Sequence, residues 1–257
     1  MNFQVIDPGK PISLFVKNIL VFEDQQPLQK TVLPFFADGY PGIIFHETTN
    51  GLLVNPYNVM MAPLFLYGQT IKPIELEMTS AYKLIIFQLC PFMIKGLLNI
   101  MPSQLTDNCY DLHQLQNGEK VVKNLQRTTS TKKRIEIIGT FLLSILQEKQ
   151  EGIDSAITFA LKKIIDQKGQ LSVKEIHEEL NLTERTFERR FVKAVGIPAK
   201  KFARIIQFQE SLEQLTVKEY TRLSDIVYEN GFADQSHFIK VFKAFTGKTP
   251  LAFSSRK

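Results

Sequence analysis

Leu223-Ser224-Asp225-Ile226-Val227-Tyr228-Glu229-Asn230-Gly231-Phe232-Ala233-Asp234-Gln235-Ser236-His237-Phe238, continuing as Ile239-Lys240-Val241-Phe242-Lys243-Ala244-Phe245-Thr246-Gly247-Lys248-Thr249-Pro250, decides the fold of the C-terminal part. A short helix is expected from about Ser224 to Glu229, followed by a turn at Asn230-Gly231-Phe232. Asp234 is a helix-capping residue type, and the helix it opens should run to Phe245 and stop at Gly247. Phe238 and Phe242, four apart, share one face of that helix, and Lys240 points away from them. The same pattern stands 51 residues earlier. Thr183 matches Asp234, Phe187 and Phe191 match Phe238 and Phe242, and Arg189 matches Lys240. Gly196 matches Gly247, and Phe202 matches Phe253. Short helix, tight turn and longer capped helix with an exposed polar face make a helix-turn-helix, here present twice.

The rest of the C-terminal part is helical too. Asp154 can cap a helix to about Gln167, ended by Gly169, and Ser172-Val173-Lys174-Glu175 has the form of a capping box opening a helix to about Leu180. Thr183 caps the next helix, to Val195. Pro198 suits the first turn of a longer one ending near Leu215, and a last helix starts near Pro250, which makes seven. The long helix would span roughly 25 Å and could set two reading helices in successive major grooves, roughly 34 Å apart. The candidate DNA-contacting residues are Arg185, Glu188 and Arg189 on the first reading helix, and Gln235, Ser236, His237 and Lys240 on the second. Arg can bond guanine bidentately, Gln can bond adenine, and Glu can accept from cytosine.

The stretch from Leu223 to Pro250 resembles the signature of the AraC/XylS family. The resemblance covers about residues 153–257 and implies a seven-helix DNA-binding domain and control of transcription initiation. Gly196-Ile197-Pro198-Ala199 departs from the usual Gly-x-Ser/Thr-Pro spacing, and Val227 stands where a small Ala is common. Glu184 and Glu188 place carboxylates near phosphates, so the second unit or particular bases are expected to matter more than usual. Family members often carry an N-terminal sensing or dimerisation domain, commonly a cupin-like barrel. Ala37-Asp38-Gly39-Tyr40-Pro41-Gly42-Ile43-Ile44-Phe45 resembles the opening of such domains.

Charge and composition agree with this division. Residues 153–257 hold 18 Lys and Arg against 13 Asp and Glu, whereas residues 1–152 hold 13 of each, so the whole net charge of +5 is C-terminal. An excess of that size fits a polyanionic partner but does not establish one. With 44% hydrophobic and 22% charged residues the chain has a globular balance, and 20 Phe with no Trp imply an aromatic core. No signal peptide is read at the start, and Leu84–Met101 is interrupted by Gln88, Pro91, Lys95 and Gly96, so no membrane partner and a cytoplasmic location are expected.

The first third reads as strands at Ser13–Val16, Gly42–Phe45, Leu52–Val54 and Leu84–Phe87. Turns are expected at Asp7-Pro8-Gly9, Asp38–Gly42 and Asn55-Pro56, so a small barrel or sandwich results. Helices are expected at 111–124 and 132–148. The second carries an apolar stripe of Ile135, Ile138, Leu142, Ile145 and Leu146 that would pack on its own domain or on a second copy. Residues 147–152 read as a polar linker. The fold class is therefore α+β, with a β-rich cupin-like N-terminal domain and trailing helices (1–150) and an all-α C-terminal domain with two helix-turn-helix units (153–257).

Catalytic signatures are missing. Of four His, only His46, beside Glu47, lies in strand-like sequence, whereas a metal site needs three or four convergent ligands. Cys90 and Cys109 match no metal spacing and read as buried free thiols. No catalytic residue, metal or cofactor is assigned, and the chain is not expected to be an enzyme. Duplex DNA is the expected partner, with RNA polymerase, a small-molecule effector and a second copy as further candidates. Phe15, Phe35, Phe36, Tyr40, Phe45, Phe65, Tyr67 and Phe87 could line an effector pocket or simply form core. The alternatives are a constitutive DNA-binding protein whose N-terminal domain only dimerises, and a metal-dependent cupin enzyme with a regulatory tail.

Overall fold

The computed structural model describes residues 1–27, 29–98, 101–148, 154–217, 220 and 222–254. The expected boundary at 150–153, with most of the polar linker, lies outside the described residues.

The N-terminal region contains two antiparallel sheets. The larger has the strand order β1 (Asn2–Ile6), β2 (Val16–Asp24), β9 (Tyr82–Leu89), β4 (Gly42–Thr48), β7 (Leu64–Tyr67) and β10 (Cys109–Asp111). The smaller has the order β3 (Thr31–Phe35), β8 (Ile74–Met78), β5 (Leu53–Asn55) and β6 (Val59–Met60). The central strands of the larger sheet are apolar at almost every position because both of their faces are covered. Ile44, Phe65, Tyr67, Leu84 and Ile86 meet Val54, Leu76 and Met78 of the smaller sheet, and Leu52 just before β5. The alternate residues Ile43, Phe45, Leu64, Leu66, Ile85 and Phe87 face helices α1 (Met93–Leu98), α2 (Gly118–Arg127) and α3 (Thr131–Glu148). A period of two thus assigns each strand residue to one of two cores.

Several expectations are corrected here. Ser13–Phe15 is not strand, because Ile12–Leu14 is a 3-10 turn whose Ser13 N–H donates to the Gly9 carbonyl, and β2 begins at Val16. The helix expected at 111–124 is shorter and later. Cys109–Asp111 is drawn into pairing with β7, Asp111 caps a 3-10 turn, and Asn117 takes a left-handed φ of 65° before α2 starts. On α3, Ile138 and Leu142 are buried and Ile135 and Ile145 half-buried against the sheet, so these four residues of the stripe pack within the chain. The side chain of Leu146 lies outside the described residues. Arg134 of α3 is fully buried. Its guanidinium holds Glu47 with two 2.7 Å hydrogen bonds, donates to the Leu125 carbonyl, and lies 5.1 Å from the Phe45 ring centre.

Seven helices follow: α4 (Ser155–Asp166), α5 (Val173–Glu179), α6 (Glu184–Val195), α7 (Ala199–Val217), α8 (Leu223–Glu229), α9 (Gln235–Thr246) and α10 (Pro250–Ser254). Their core is aromatic, built on Phe187, Phe191, Phe202, Phe208, Phe238 and Phe242, all fully buried. Ala37 is part of that core, and Phe36, Ile71 and Phe92 pack against it, so N-terminal residues complete the C-terminal core.

Candidate nucleic-acid interface

Each reading unit is built by local chemistry. In the first, Thr183 Oγ1 accepts from the Thr186 N–H to open α6, and Gly196, at φ 95°, closes it with its N–H on the Val192 carbonyl. In the second, Asp234 accepts from the His237 N–H to open α9, and Gly247, at φ 74°, closes it on the Lys243 carbonyl. These caps satisfy backbone groups that a helix leaves unpaired at its ends. The offset of 51 holds from the caps onward. Ahead of them it is 50: buried Ile176 matches buried Ile226, and left-handed Asn181 matches left-handed Gly231. The second turn is therefore one residue longer than the first.

The paired Phe anchors face inward, with ring centres 5.7 Å apart in both Phe187–Phe191 and Phe238–Phe242. Opposite them, Arg185, Arg189, Gln235, Ser236 and Lys240 are exposed, and none has an ion pair or side-chain hydrogen bond with any described residue. His237 is half-buried, its ring 5.7 Å from that of Phe232. Glu188 is also half-buried. Its carboxylate accepts from the Ala199 N–H at 3.3 Å, at the start of α7. Arg190, beside the outward Arg189, is held by Asp154 at 2.6 and 2.8 Å and ties α6 to the start of α4.

Three cations that the reading of the sequence did not single out lie beside these candidates. Lys200, Lys201 and Arg204 of α7 line a groove of about 780 Å³ together with His237 and Lys240 of α9, and no carboxylate lines it. Lys200 and Arg204 also line a second groove with Glu184 and Glu188 of α6. The α7 face thus carries cations from one reading helix towards the other. Their spacing was the available signal: Lys200 and Arg204 are four apart, beside the apolar residues Phe202, Ala203, Ile205 and Ile206 that turn to the core.

No group of three or more His, Cys, Asp or Glu able to hold a metal occurs among the described residues. His46 is buried with Nε2 3.0 Å from the Ala62 carbonyl, and Glu47 serves Arg134. Burial raises both thiols, that of Cys109 to about 12, which keeps it protonated. Among the described residues no helix is long and apolar enough to cross a membrane.

Comparison with known proteins gives two family matches. Residues 176–256 match a family described as "Helix-turn-helix domain", and residues 4–111 match "Domain of unknown function (DUF6597)". An HTH-type transcriptional regulator of Staphylococcus aureus (strain MSSA476) is 29% identical over 83 residues, 32% of this chain and 11% of that protein. The Msm operon regulatory protein of Streptococcus mutans is 28% identical over 118 residues, 46% of this chain and 42% of that one. The match therefore spans between about a tenth and two fifths of these relatives' length. ToxT from Vibrio cholerae has a similar structure at 13% identity and a TM-score of 0.49, covering 88% of this chain and 97% of its own. Two capped helices of similar build, joined by a cationic helix, thus lie in a segment, 176–256, that matches a helix-turn-helix domain and is similar to HTH-type transcriptional regulators.

Proposed function

We propose that the chain is a sequence-specific regulator of transcription whose α6 and α9 enter two successive major-groove segments on one face of a duplex. The observation that carries this reading is the free, outward set Arg185, Arg189, Gln235, Ser236 and Lys240 on two helices of the same construction. Phosphates are the natural partners of Lys200, Lys201 and Arg204, whose groove with α9 holds no carboxylate, although Lys200 and Arg204 also line the groove with Glu184 and Glu188. α7, at about 1.5 Å per residue over 19 residues, is about 28 Å long, close to one turn of duplex. In this reading the division into a regulatory part, 1–150, and a DNA-binding part, 153–257, is functional, and the N-terminal region controls binding. It does so through its contacts with the C-terminal core, in answer to a small-molecule effector or to pairing with a second copy. RNA polymerase is the expected further partner once DNA is bound.

Selection of duplexes from a random library by the full chain tests this. Two half-sites about one helical turn apart are expected, with log affinity falling linearly in log salt. Arg189→Ala should relax preference at one base position at a cost of about 1–3 kcal/mol, while Lys200→Ala should weaken all sequences alike and lower the salt slope by about 1. A single half-site, or binding indifferent to salt, overturns the proposal.

A further inference from the structure

The two reading units are attached to α7 by contacts of two kinds. The first kind is aromatic. Phe202 packs on Phe191 of the first unit, with ring centres 5.9 Å apart, and Phe208 packs on Phe242 and Phe245 of the second, at 5.5 and 5.1 Å. Apolar burial is non-directional, so the angle between the units calls for directional contacts as well.

Those contacts lie along a stripe of α7 formed by Ala203, Gln207, Glu210 and Gln214, spaced four, three and four apart. Turns from both units are seated on it. The turn between α4 and α5, which leads into the first unit, approaches so closely that a Cβ on Gly169 would stand 2.2 Å from the Ala203 carbonyl oxygen. Beside it, Lys168 pairs with Glu210 at 2.8 Å. Further along the stripe, where α8 ends, Gln214 Nε2 donates to the Glu229 carboxylate at 3.0 Å, and Gln214 Oε1 accepts from Asn230 Nδ2 at 2.7 Å. Asn230 is buried, and the same Nδ2 donates to the Ile226 carbonyl at 2.8 Å.

One side chain joins the two turns directly. Gln170 Nε2 donates to the Glu229 backbone carbonyl at 2.8 Å, 59 positions away. The rest of that side chain lies against Gly231, where a Cβ would stand 3.1 Å from Gln170 Cγ and 3.2 Å from its Cδ and Oε1. Asn181, the counterpart of Gly231 in the first unit, has the same left-handed backbone and carries a side chain. Left-handed backbone at this place therefore accepts Asn. What the second turn adds is Gln170, which stands where a Cβ would be.

We infer that Gln170 is a positioning residue: it reaches from the first unit to the second, sets the angle between α6 and α9, and so selects the half-site separation that the chain accepts. The inference rests on the DNA-binding reading above for its consequence, whereas the bridge itself does not. One added base pair carries the second half-site about 3.4 Å along the duplex and about a tenth of a turn around it. Bridged units resist that step, and units free to roll on α7 follow it at less cost.

The full chain is tested on a duplex that it selects, and on versions with one base pair inserted or removed between the half-sites. The parent should favour the selected separation by at least about tenfold. Gln170→Glu keeps the shape of the side chain, removes the donor and sets a carboxylate against the Glu229 carbonyl. It should cut that preference by about three- to tenfold, the loss of one such bond. Its melting curve should stay close to the parent's, because the residue is exposed. Gly231→Asn copies the first turn, pushes Gln170 aside and should cut the preference likewise, whereas Asn181→Gly should leave it unchanged. Spin labels at Lys193→Cys and Lys243→Cys, both exposed, read the separation of α6 and α9 without DNA in a chain with Cys90→Ser and Cys109→Ser. Gln170→Glu should broaden or shift that separation. An unchanged separation, a spacing preference untouched by Gln170→Glu or Gly231→Asn, or an equal shift from Asn181→Gly overturns the inference. A separation that changes in a chain unable to bind any duplex counts instead against the function proposed above, and the bridge stands.

Discussion

Gly196→Ala and Gly247→Ala form a matched pair that isolates the grip of the N-terminal region on the first reading helix. Both glycines close a twelve-residue helix in the left-handed region, at φ 95° and 74°. Alanine in that region costs about 1–2 kcal/mol at either site. The surroundings then differ. A Cβ on Gly247 would meet only Pro73 Cγ at 3.8 Å, an ordinary contact, whereas on Gly196 it would stand 2.8 Å from the Pro102 carbonyl carbon and oxygen. Backbone cannot swing aside as a side chain can, so the Pro102–Asn108 segment has to retreat. With it goes the bond from Thr106 to the Gly196 carbonyl, worth about 0.5–1.5 kcal/mol. Gly196→Ala should therefore cost about 1.5–3.5 kcal/mol in all, against about 1–2 for Gly247→Ala. At about 2–4 °C per kcal/mol for a chain of this size, Tm falls by about 8 °C in the first and about 4 °C in the second. The chain has no Trp, so helix content by circular dichroism at 222 nm is the readout, with urea unfolding beside it. Thr106→Ala should cost stability in the parent and almost nothing in the Gly196→Ala background, since the bond is already gone. Equal losses at the two glycines, or additive behaviour of Thr106→Ala, would refute the reasoning.

Phe242 packs against Phe238, Phe208 and Phe253 at 5.5–5.7 Å. Phe242→Ala should cost about 3–5 kcal/mol and lose DNA binding by loosening the second unit. Lys240→Ala should lose DNA binding with an unchanged melting curve; a normal melt for Phe242→Ala beside unfolding of Lys240→Ala would reverse the assigned faces of α9. Glu47→Gln leaves the buried Arg134 guanidinium without its counter-charge and should cost up to about 3–5 kcal/mol, read by urea unfolding. Asp38 accepts from Tyr40 N–H and from Gln88, yet burial still pushes its carboxyl up to about 6. The folded chain therefore holds that proton more tightly than the unfolded one. The stability this adds is full below about pH 4 and is lost as pH rises through about 6, a change of about 1–2 kcal/mol for a group with some solvent contact. Asp38→Asn should flatten stability across that window, and an unchanged slope would remove Asp38 as its source.

What was legible in the sequence follows from the range of the interactions. The caps Thr183 and Asp234, the closing glycines and the Phe pairs four apart act within a turn or two of chain, and all stand where the repeat put them. Strand runs such as Gly42–Phe45 and Leu84–Phe87 were visible as apolar blocks, but their burial on both faces hid which residue looks to which core. Ser13–Phe15 shows strand-forming residues inside a turn, and Cys109–Asp111 became strand only because β7 lay open to pair with it. Arg134 and Glu47, 87 positions apart, carry no local sign of each other. The segments at 68–73 and 102–108 lacked any pattern, since their conformation is set by what they bind across the molecule.

Charge placement on the first reading unit also changes once the fold is known. By position alone, Glu184 and Glu188 set two carboxylates beside Arg185 and Arg189 and would make α6 a poor partner for phosphates. Glu188, however, receives the Ala199 N–H at the start of α7, where the unpaired N–H groups of a helix carry positive partial charge. Glu184 and Glu188 share their groove with Lys200 and Arg204, which offer further compensation from α7. Arg185 and Arg189 remain exposed with no ion pair to any described carboxylate, and Glu184 is exposed beside them. The expectation that the second unit or particular bases matter more than usual rested on those two carboxylates, of which Glu188 is engaged within the chain. The same carboxylate that seemed to oppose DNA ties α6 to the start of α7.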